Sequence, residues 1–317
     1  MKIVIPGGTG QVGAVLKRAL EAAGHDVVIL TRRPRREGEV PWDGQTLGPW
    51  TAAVDGSDVV INLAGHTVSC RYTAANLQEM MDSRVVGAAI AGAARPPRVW
   101  LQMSTATVYA HRIDAPNDEA TGVIGGTEPG VPDYWAYSVE IAKAWEQAQQ
   151  QAETPATRKV ALRSAMVMSP DPGGVFAVLL GLARLGLGGP VAGGAQYVSW
   201  IHEHDFVRAV EFLIDKEDIA GPVNLATPHP LPQRAFMRTL RSAWGVPVGL
   251  PATKWMAEVG AFALRSDTEL LLKSRRVVPG RLTQAGFDFQ YAQWPQAANE
   301  LVRRVRKRVE GGSAARR

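Results

Sequence analysis

The 317-residue chain has a single cysteine, Cys70, which excludes an internal disulfide and suits a reducing compartment. Long apolar runs are also missing. The longest, "GVFAVLLGLARLGLGG" from Gly174, is broken by Arg184 and is too short and too glycine-rich to span a bilayer. The opening "MKIVIPGG" offers only a four-residue apolar stretch before its glycines, too little for a signal-peptide core, and reads as a first strand. There is no G-x-S-x-G elbow, which argues against a serine hydrolase. "HEHD" at 202–205 gathers metal-type side chains, but at spacings of one and two rather than one helical turn. Asp205 is expected to cap the helix "FVRAVEFLI" instead. The expectation is a cytoplasmic protein with neither a metal nor a membrane span.

Charge of one sign is concentrated in one place. The formal net charge is +5, yet seven basic residues against Glu310 lie between Arg303 and Arg317, so the remainder is close to neutral. Leu301, Val305 and Val309 recur every four residues and mark a helix with one buried stripe and a basic outer face. A solvated helix face explains this pattern, and no nucleic-acid partner is expected. The run 174–187, with Phe176, Leu179, Leu180, Leu182 and Leu185, could be core, a wall over a site, or the contact of a homodimer.

What is present begins with "KIVIPGGTGQVGAVLKRALEAAGHDVVILTRR". It reads as a strand over Ile3 to Ile5, a glycine turn, a helix burying Val15, Leu16, Ala19 and Leu20, a glycine stop at Gly24, and a second strand. The turn Gly7, Gly8, Thr9, Gly10, Gln11, Val12, Gly13 carries G-x-x-G-x-x-G between strand and helix. Glycines there permit the turn, admit a diphosphate to the backbone, and let helix and strand pack closely. The helix N-terminus supplies amide donors and positive dipole to the phosphates. The second strand lacks the acid that would hold a free ribose 2′-hydroxyl. It ends in Arg32 and Arg33, whose guanidinium forks suit a 2′-phosphate, so NADP(H) is the expected cofactor; the alternative is a basic surface loop. "DVVINLAG" is a further buried strand with Asn62, Leu63, Ala64 and Gly65 at its crevice end, beside the cofactor ribose and diphosphate.

With "STATVY" at 104–109 and "LRSAMVMSP" at 162–170 following in order, the sequence resembles the extended short-chain dehydrogenase/reductase superfamily of NAD-dependent epimerase/dehydratase type. "SR" at 83–84, "WE" at 145–146, "SWIHEHD" at 199–205, "GPVNLATPHP" at 221–230 and "SRRVVPGRL" then "GFDF" are similar to the branch called epimerase family proteins, which ends in a C-terminal domain of unknown function. The resemblance covers nearly the whole chain. It implies an α/β fold with a Rossmann-type doubly wound parallel sheet over residues 1–168, with a return segment near 198–226. A smaller substrate region would be built from 169–197 and 227–317.

It also implies a Ser or Thr orienting the substrate, which falls on Thr105 with Ser104 beside it on the cofactor side, and a Tyr-x-x-x-Lys on the helix "PDYWAYSVEIAKAWE" opened by Asp133. Tyr137 takes the tyrosine place. The lysine place is Ile141, and Lys143 lies about 240° around the helix from Tyr137. The lysine of this superfamily holds the nicotinamide ribose and lowers the tyrosine pKa; lowering it from about 10 to near 7 takes roughly 4 kcal/mol. Without it, a neutral tyrosine can still protonate an oxyanion, so reduction suits the site better than oxidation. Tyr137, Ile141, Ala144 and Ala148 also fit an apolar stripe packed on the core. Arg163 could be a buried structural arginine or a holder of substrate anion, and Trp200 is a second substrate-side candidate. The expected activity is NADP(H)-dependent reduction of a small apolar carbonyl or enone. A non-catalytic NADP(H)-binding sensor or scaffold, and a nucleotide-sugar epimerase, are the alternatives.

Overall fold

The computed structural model describes residues 1–65, 84–132, 135–253 and 269–314. These divide into two compact units, the first made of Met1–Val108, Ile124–Ser164 and Val207–Asn224, the second of Tyr109–Val123, Ala165–Phe206 and Leu225–Arg317. Asp133, the expected helix cap, and Cys70 lie outside the described residues.

The first unit follows an alternation of strand and helix: β1 (Lys2–Pro6), α1 (Gln11–Ala22), β2 (Asp26–Thr31), β3 (Glu39–Pro41), α2 (Thr51–Val54), β4 (Val59–Asn62), α3 (Arg84–Ala91), β5 (Val99–Thr105), a 3-10 turn at Ala106–Val108, α4 (Trp135–Gln151) and β6 (Arg158–Ser164). In the second unit come β7 (Met166–Met168), α5 (Val175–Arg184), β8 (Tyr197–Val198) and β9 (Trp200–His202). Helix α6 (Glu203–Asp215) and strand β10 (Gly221–Leu225) follow, most of their residues belonging to the first unit. The chain ends with β11 (Leu231–Pro232), α7 (Gln233–Trp244), α8 (Glu269–Leu272), α9 (Gly280–Gln284) and α10 (Trp294–Ala314).

Seven strands form one sheet in the order β10-β6-β5-β4-β1-β2-β3, and each pair from β6 to β3 is parallel. This is the expected Rossmann-type doubly wound sheet. The inner strands are near-continuous Val, Ile and Leu because both faces of a parallel sheet are covered. Val4, Leu30, Val60 and Trp100 pack with Trp42, Trp50, Val54, Val86 and Ile90 in one core cluster. Strand order reverses between β1 and β4, so the ligand crevice of this unit is expected at their carboxyl ends. Helix α1 stops as the sequence predicts. Gly24 adopts φ +82°, its N–H donates to the Glu21 carbonyl, and the His25 N–H donates to the Leu20 carbonyl, a Schellman closure.

Around Trp294, the second unit builds its own core. The indole stacks on Phe236 at 4.0 Å between ring centroids, meets Trp200 edge-on at 4.9 Å, and donates Nε1–H to the Phe236 carbonyl. Segment 109–123 joins this unit because Asn117 exchanges backbone hydrogen bonds with Arg276 and Val278. Along α10, Leu301 and Val305 face inward as expected, but Val309 is exposed, so the buried stripe ends one turn early. Three arginines of its basic face are tied within the unit: Arg304 to Glu203, Arg308 to Asp171, and Arg306 to the Trp244 carbonyl. Helix α5 turns Phe176, Leu180 and Ala183 into the core and leaves Val178 exposed, with Leu185 and Leu187 exposed beyond it. No helix among the described residues is long and apolar enough to cross a membrane.

Candidate functional site

At the turn after β1, contacts explain why side chains are missing. Gly7 sits at φ +73°, and a Cβ there would come within 2.7 Å of the Ala64 Cα and N. A Cβ on Gly8 would press on the Ile29 side chain at 2.6 Å, and one on Gly13 would collide with the Gly8 carbonyl. Gly10 differs: nothing lies within 4 Å of where its Cβ would be. It is also the N-cap of α1, with no side-chain cap and no acid in the first turn. The helix therefore opens without a side-chain cap on its first amides, which suits an anion site. Thr9 is exposed, Gln11 and Val12 are half-buried, and the Gln11 Nε2 is a buried donor with no hydrogen-bond partner.

At the end of β2, Arg32 and Arg33 are both exposed, and among the described residues neither forms an ion pair. The nearby acid, Glu39, accepts instead from the Arg35 and Arg36 backbone amides, and the Arg35 bond heads the causes that hold its carboxyl below the usual range. Beneath them the Trp42 N–H donates to the Thr31 carbonyl and its ring tilts against Trp50 at 5.6 Å.

At the end of β4, Asn62 is fully buried rather than open to the crevice. Its Nδ2 donates to the Gln102 Oε1 at 2.8 Å, across the register pair Asn62↔Gln102, and its Oδ1 accepts the Ala64 N–H at 3.0 Å. Leu63 donates its N–H to the Pro6 carbonyl, and Gly65 lies against the Trp145 indole, which would be 3.0 Å from a Cβ.

The ends of β5 and β6 carry a second buried polar knot. Ser104 and Arg163 are register partners, and both turn to one carboxylate on α4. Ser104 Oγ donates to the Glu146 Oε1 at 2.7 Å, Arg163 Nε to the same oxygen at 2.9 Å, and Arg163 Nη2 to the Oε2 at 2.8 Å. The arginine and glutamate side chains are only 11% and 16% exposed. A bidentate pair at this depth fixes two strands against a helix. Arg163 is thus part-buried with its guanidinium on Glu146, and the Ser104 hydroxyl is turned to the same carboxylate. Thr105 remains half-buried, its Oγ1 donating to the Thr107 Oγ1 at 3.1 Å and accepting the Thr107 N–H at 3.2 Å.

A model described as the NAD dependent epimerase/dehydratase family matches residues 3–226, and one described as a domain of unknown function, DUF1731, matches residues 254–301. The epimerase family protein SDR39U1 of Bos taurus is 31% identical over 313 residues, which is 95% of this chain and 100% of that protein. The epimerase family protein Mb2239 of Mycobacterium bovis is 32% identical over 298 residues, 91% of this chain and 93% of that protein. Among solved structures, human SDR39U1 (isoform 2) with NADPH is 27% identical with a TM-score of 0.82, covering 96% of this chain and 99% of that one. The chain belongs to the NAD dependent epimerase/dehydratase family.

Against that family's Tyr-x-x-x-Lys, helix α4 shows what the sequence left open. Tyr137 is 46% exposed, whereas Ile141 in the lysine place is 2% exposed and packed inward. The core stripe of α4 runs instead through Trp135, Ser138, Val139, Ile141, Ala142 and Trp145, so Tyr137 is not part of it. Lys143 pairs with Glu140 at 2.9 Å on the outer face. Trp200 requires a correction: it is fully buried in the aromatic core of the second unit, so its ring supports packing and not a ligand.

"HEHD" is likewise structural. His202 accepts the His204 N–H on Nδ1 and lies 3.0 Å from the Glu300 carboxylate through Nε2. Burial pushes Glu300 up, but the His202 hydrogen bond and the charges of Arg304 and Arg303 outweigh it and hold the carboxyl below its usual range. Asp205 does not precede its helix as expected, because α6 starts at Glu203; it lies in the first turn and accepts the Gln290 and Tyr291 amides. Among the described residues no group of three metal-type side chains is arranged around a common point. Gln102, Trp145 and Glu146 are the site-forming residues that the sequence did not single out individually. The trace of the first was a lone amide inside the apolar strand "VWLQM".

Proposed function

We propose that the protein is an NADP(H)-dependent oxidoreductase that reduces a small apolar carbonyl or enone. The observation that carries the cofactor choice is the exposed, unpaired Arg32 and Arg33 after β2, the strand paired with β1, which itself runs into the glycine turn where Gly10 has nothing within 4 Å of a Cβ. These residues fit a dinucleotide: the amides opening α1 and the buried, unpartnered Gln11 donor suit a diphosphate, and two guanidinium groups suit a 2′-phosphate. The human relative solved with NADPH supports the same reading.

Bound NADPH supplies hydride at its nicotinamide ring. Thr105 would hold the substrate oxygen through its hydroxyl, and Tyr137 would donate a proton to the oxyanion as hydride arrives. The exposure of Tyr137 suits a group that must meet a ligand. With Ile141 in the lysine place, the phenol serves as an acid and not as a base, which favours the reductive direction. Single-turnover oxidation of bound NADPH, followed by absorbance across a panel of aliphatic ketones, aldehydes and enones, tests this. The wild type should oxidise NADPH with at least one class, and Tyr137→Phe should lower that rate by about 100-fold or more. No oxidation above background by the wild type removes the catalytic reading.

One observation favours a second reading, a non-catalytic NADP(H)-binding sensor. Ile141 is buried and Lys143 is committed to Glu140, so no described lysine occupies the usual place on α4. NADPH binding with no turnover on any carbonyl class supports that alternative.

A further inference from the structure

Two amide side chains buried inside a parallel sheet are costly unless both ends of each are satisfied. Asn62 and Gln102 stand opposite each other at 0% and 1% exposure, the last residue of β4 against the fourth of β5. Gln102 Nε2 donates to the Met103 carbonyl at 3.2 Å, its Oε1 takes the Asn62 Nδ2–H, and this leaves the Asn62 Oδ1 aimed at the Ala64 amide. Ala64 is the residue against which Gly7 is packed, so closely that a methyl group on Gly7 would not fit. In the same short turn, Gly65 rests on Trp145. The turn 63–65 is therefore held at three points: by Asn62 at the Ala64 amide, by the Pro6 carbonyl at the Leu63 amide, and by the Trp145 indole against Gly65.

We propose that Asn62 and Gln102 are positioning residues for the dinucleotide, which neither touches: Gln102 orients Asn62, and Asn62 fixes the Ala64 amide so that the 63–65 turn and the glycine turn present one continuous backbone surface. Asn62 acts on the ligand through the chain it pins, and Gln102 acts through Asn62. The proposal rests on the reading of this crevice as the NADP(H) site.

The test is calorimetric binding of NADPH to the full chain, paired with the melting temperature of each protein without ligand. Gln102→Leu removes the partner of the Asn62 amide, and Asn62→Ser removes the reach to both Gln102 and Ala64. Each should weaken NADPH binding about tenfold, the scale of one well-made hydrogen bond. The double variant should bind no worse than the weaker single variant, because both act through one contact. A merely structural role would lower the melting temperature of the variants and leave the affinity of the folded protein within about twofold of wild type, and that result overturns the proposal. If Gln102→Leu does not fold, the smaller change Asn62→Ser decides the matter alone. Absence of NADPH binding by the wild type sinks the cofactor reading itself, whereas wild-type binding with unchanged variants sinks only the positioning role.

Discussion

The carboxyl ends of β1 and β4 and those of β5 and β6 lie in the same sheet, yet they are built on opposite rules. At the first, side chains are removed so that the backbone can act: Gly7, Gly8 and Gly13 have no room for a Cβ, and Gly10 faces open space. At the second, side chains bind one another: Ser104 and Arg163 share the Glu146 carboxylate, and Ile141 in the lysine place is packed inward. A backbone site must stay bare to work on any ligand with a phosphate. A side-chain site can be converted to scaffolding one residue at a time. The difference explains why the glycine turn reads clearly in the sequence and the ends of β5 and β6 do not.

The comparison can be broken at its strongest point first. Glu146→Leu takes the carboxylate from a part-buried Arg163 guanidinium, and should cost up to about 3 kcal/mol in urea unfolding. Adding Arg163→Met should recover a large part of that loss, since no uncompensated charge then remains. If Glu146→Leu is as stable as wild type, the knot is not scaffolding. Next comes Gly13→Ala, whose methyl meets the Gly8 carbonyl and not a movable side chain. It should cost near the top of the roughly 1–3 kcal/mol range for overpacking and lower NADPH affinity with it. By contrast Gly10→Ala, with nothing within 4 Å, should leave stability almost unchanged while obstructing the ligand.

Replacing Arg32 and Arg33 together by alanine should weaken NADPH binding by about 10- to 100-fold and leave NADH binding as it was, because only the extra phosphate is lost as a partner. The smallest effect is expected at Asp43. The Thr46 hydroxyl, then the Thr46 and Gln45 amides, hold its carboxyl down at about 2. A folded-state pKa below the unfolded one gives stability that is full above the unfolded value, near 3.9, and is lost as pH falls through about 2. Stability of Asp43→Asn and wild type, compared between pH 5 and pH 2, should therefore converge at the acid end. A gap as wide at pH 2 as at pH 5 contradicts this assignment.

Most of the fold was legible because it depends on local signals: apolar strands, a glycine turn, and Gly24 closing α1 with φ +82°. The partners of buried polar residues were not. Glu146 lies 42 residues from Ser104 and 17 from Arg163, and Gln102 lies 40 from Asn62; nothing in a window of sequence says that these atoms meet. Trp200 misled for a related reason. It stands beside polar residues in "SWIHEHD" as a substrate-side candidate, but the polar neighbours turn to Glu300, Arg304 and the 290–291 backbone while the ring enters a core of Trp294 and Phe236. The segment 109–123 follows β5 after one 3-10 turn, yet joins the second unit through Asn117, a pairing with residues more than 150 positions away.

One titration bears on all of this. Calorimetry of the wild-type protein with NADPH and then with NADH should give tight binding of the first and binding at least about tenfold weaker of the second. Equal affinities would contradict the role of the paired arginines, and no heat from either nucleotide would contradict the dinucleotide site as a whole.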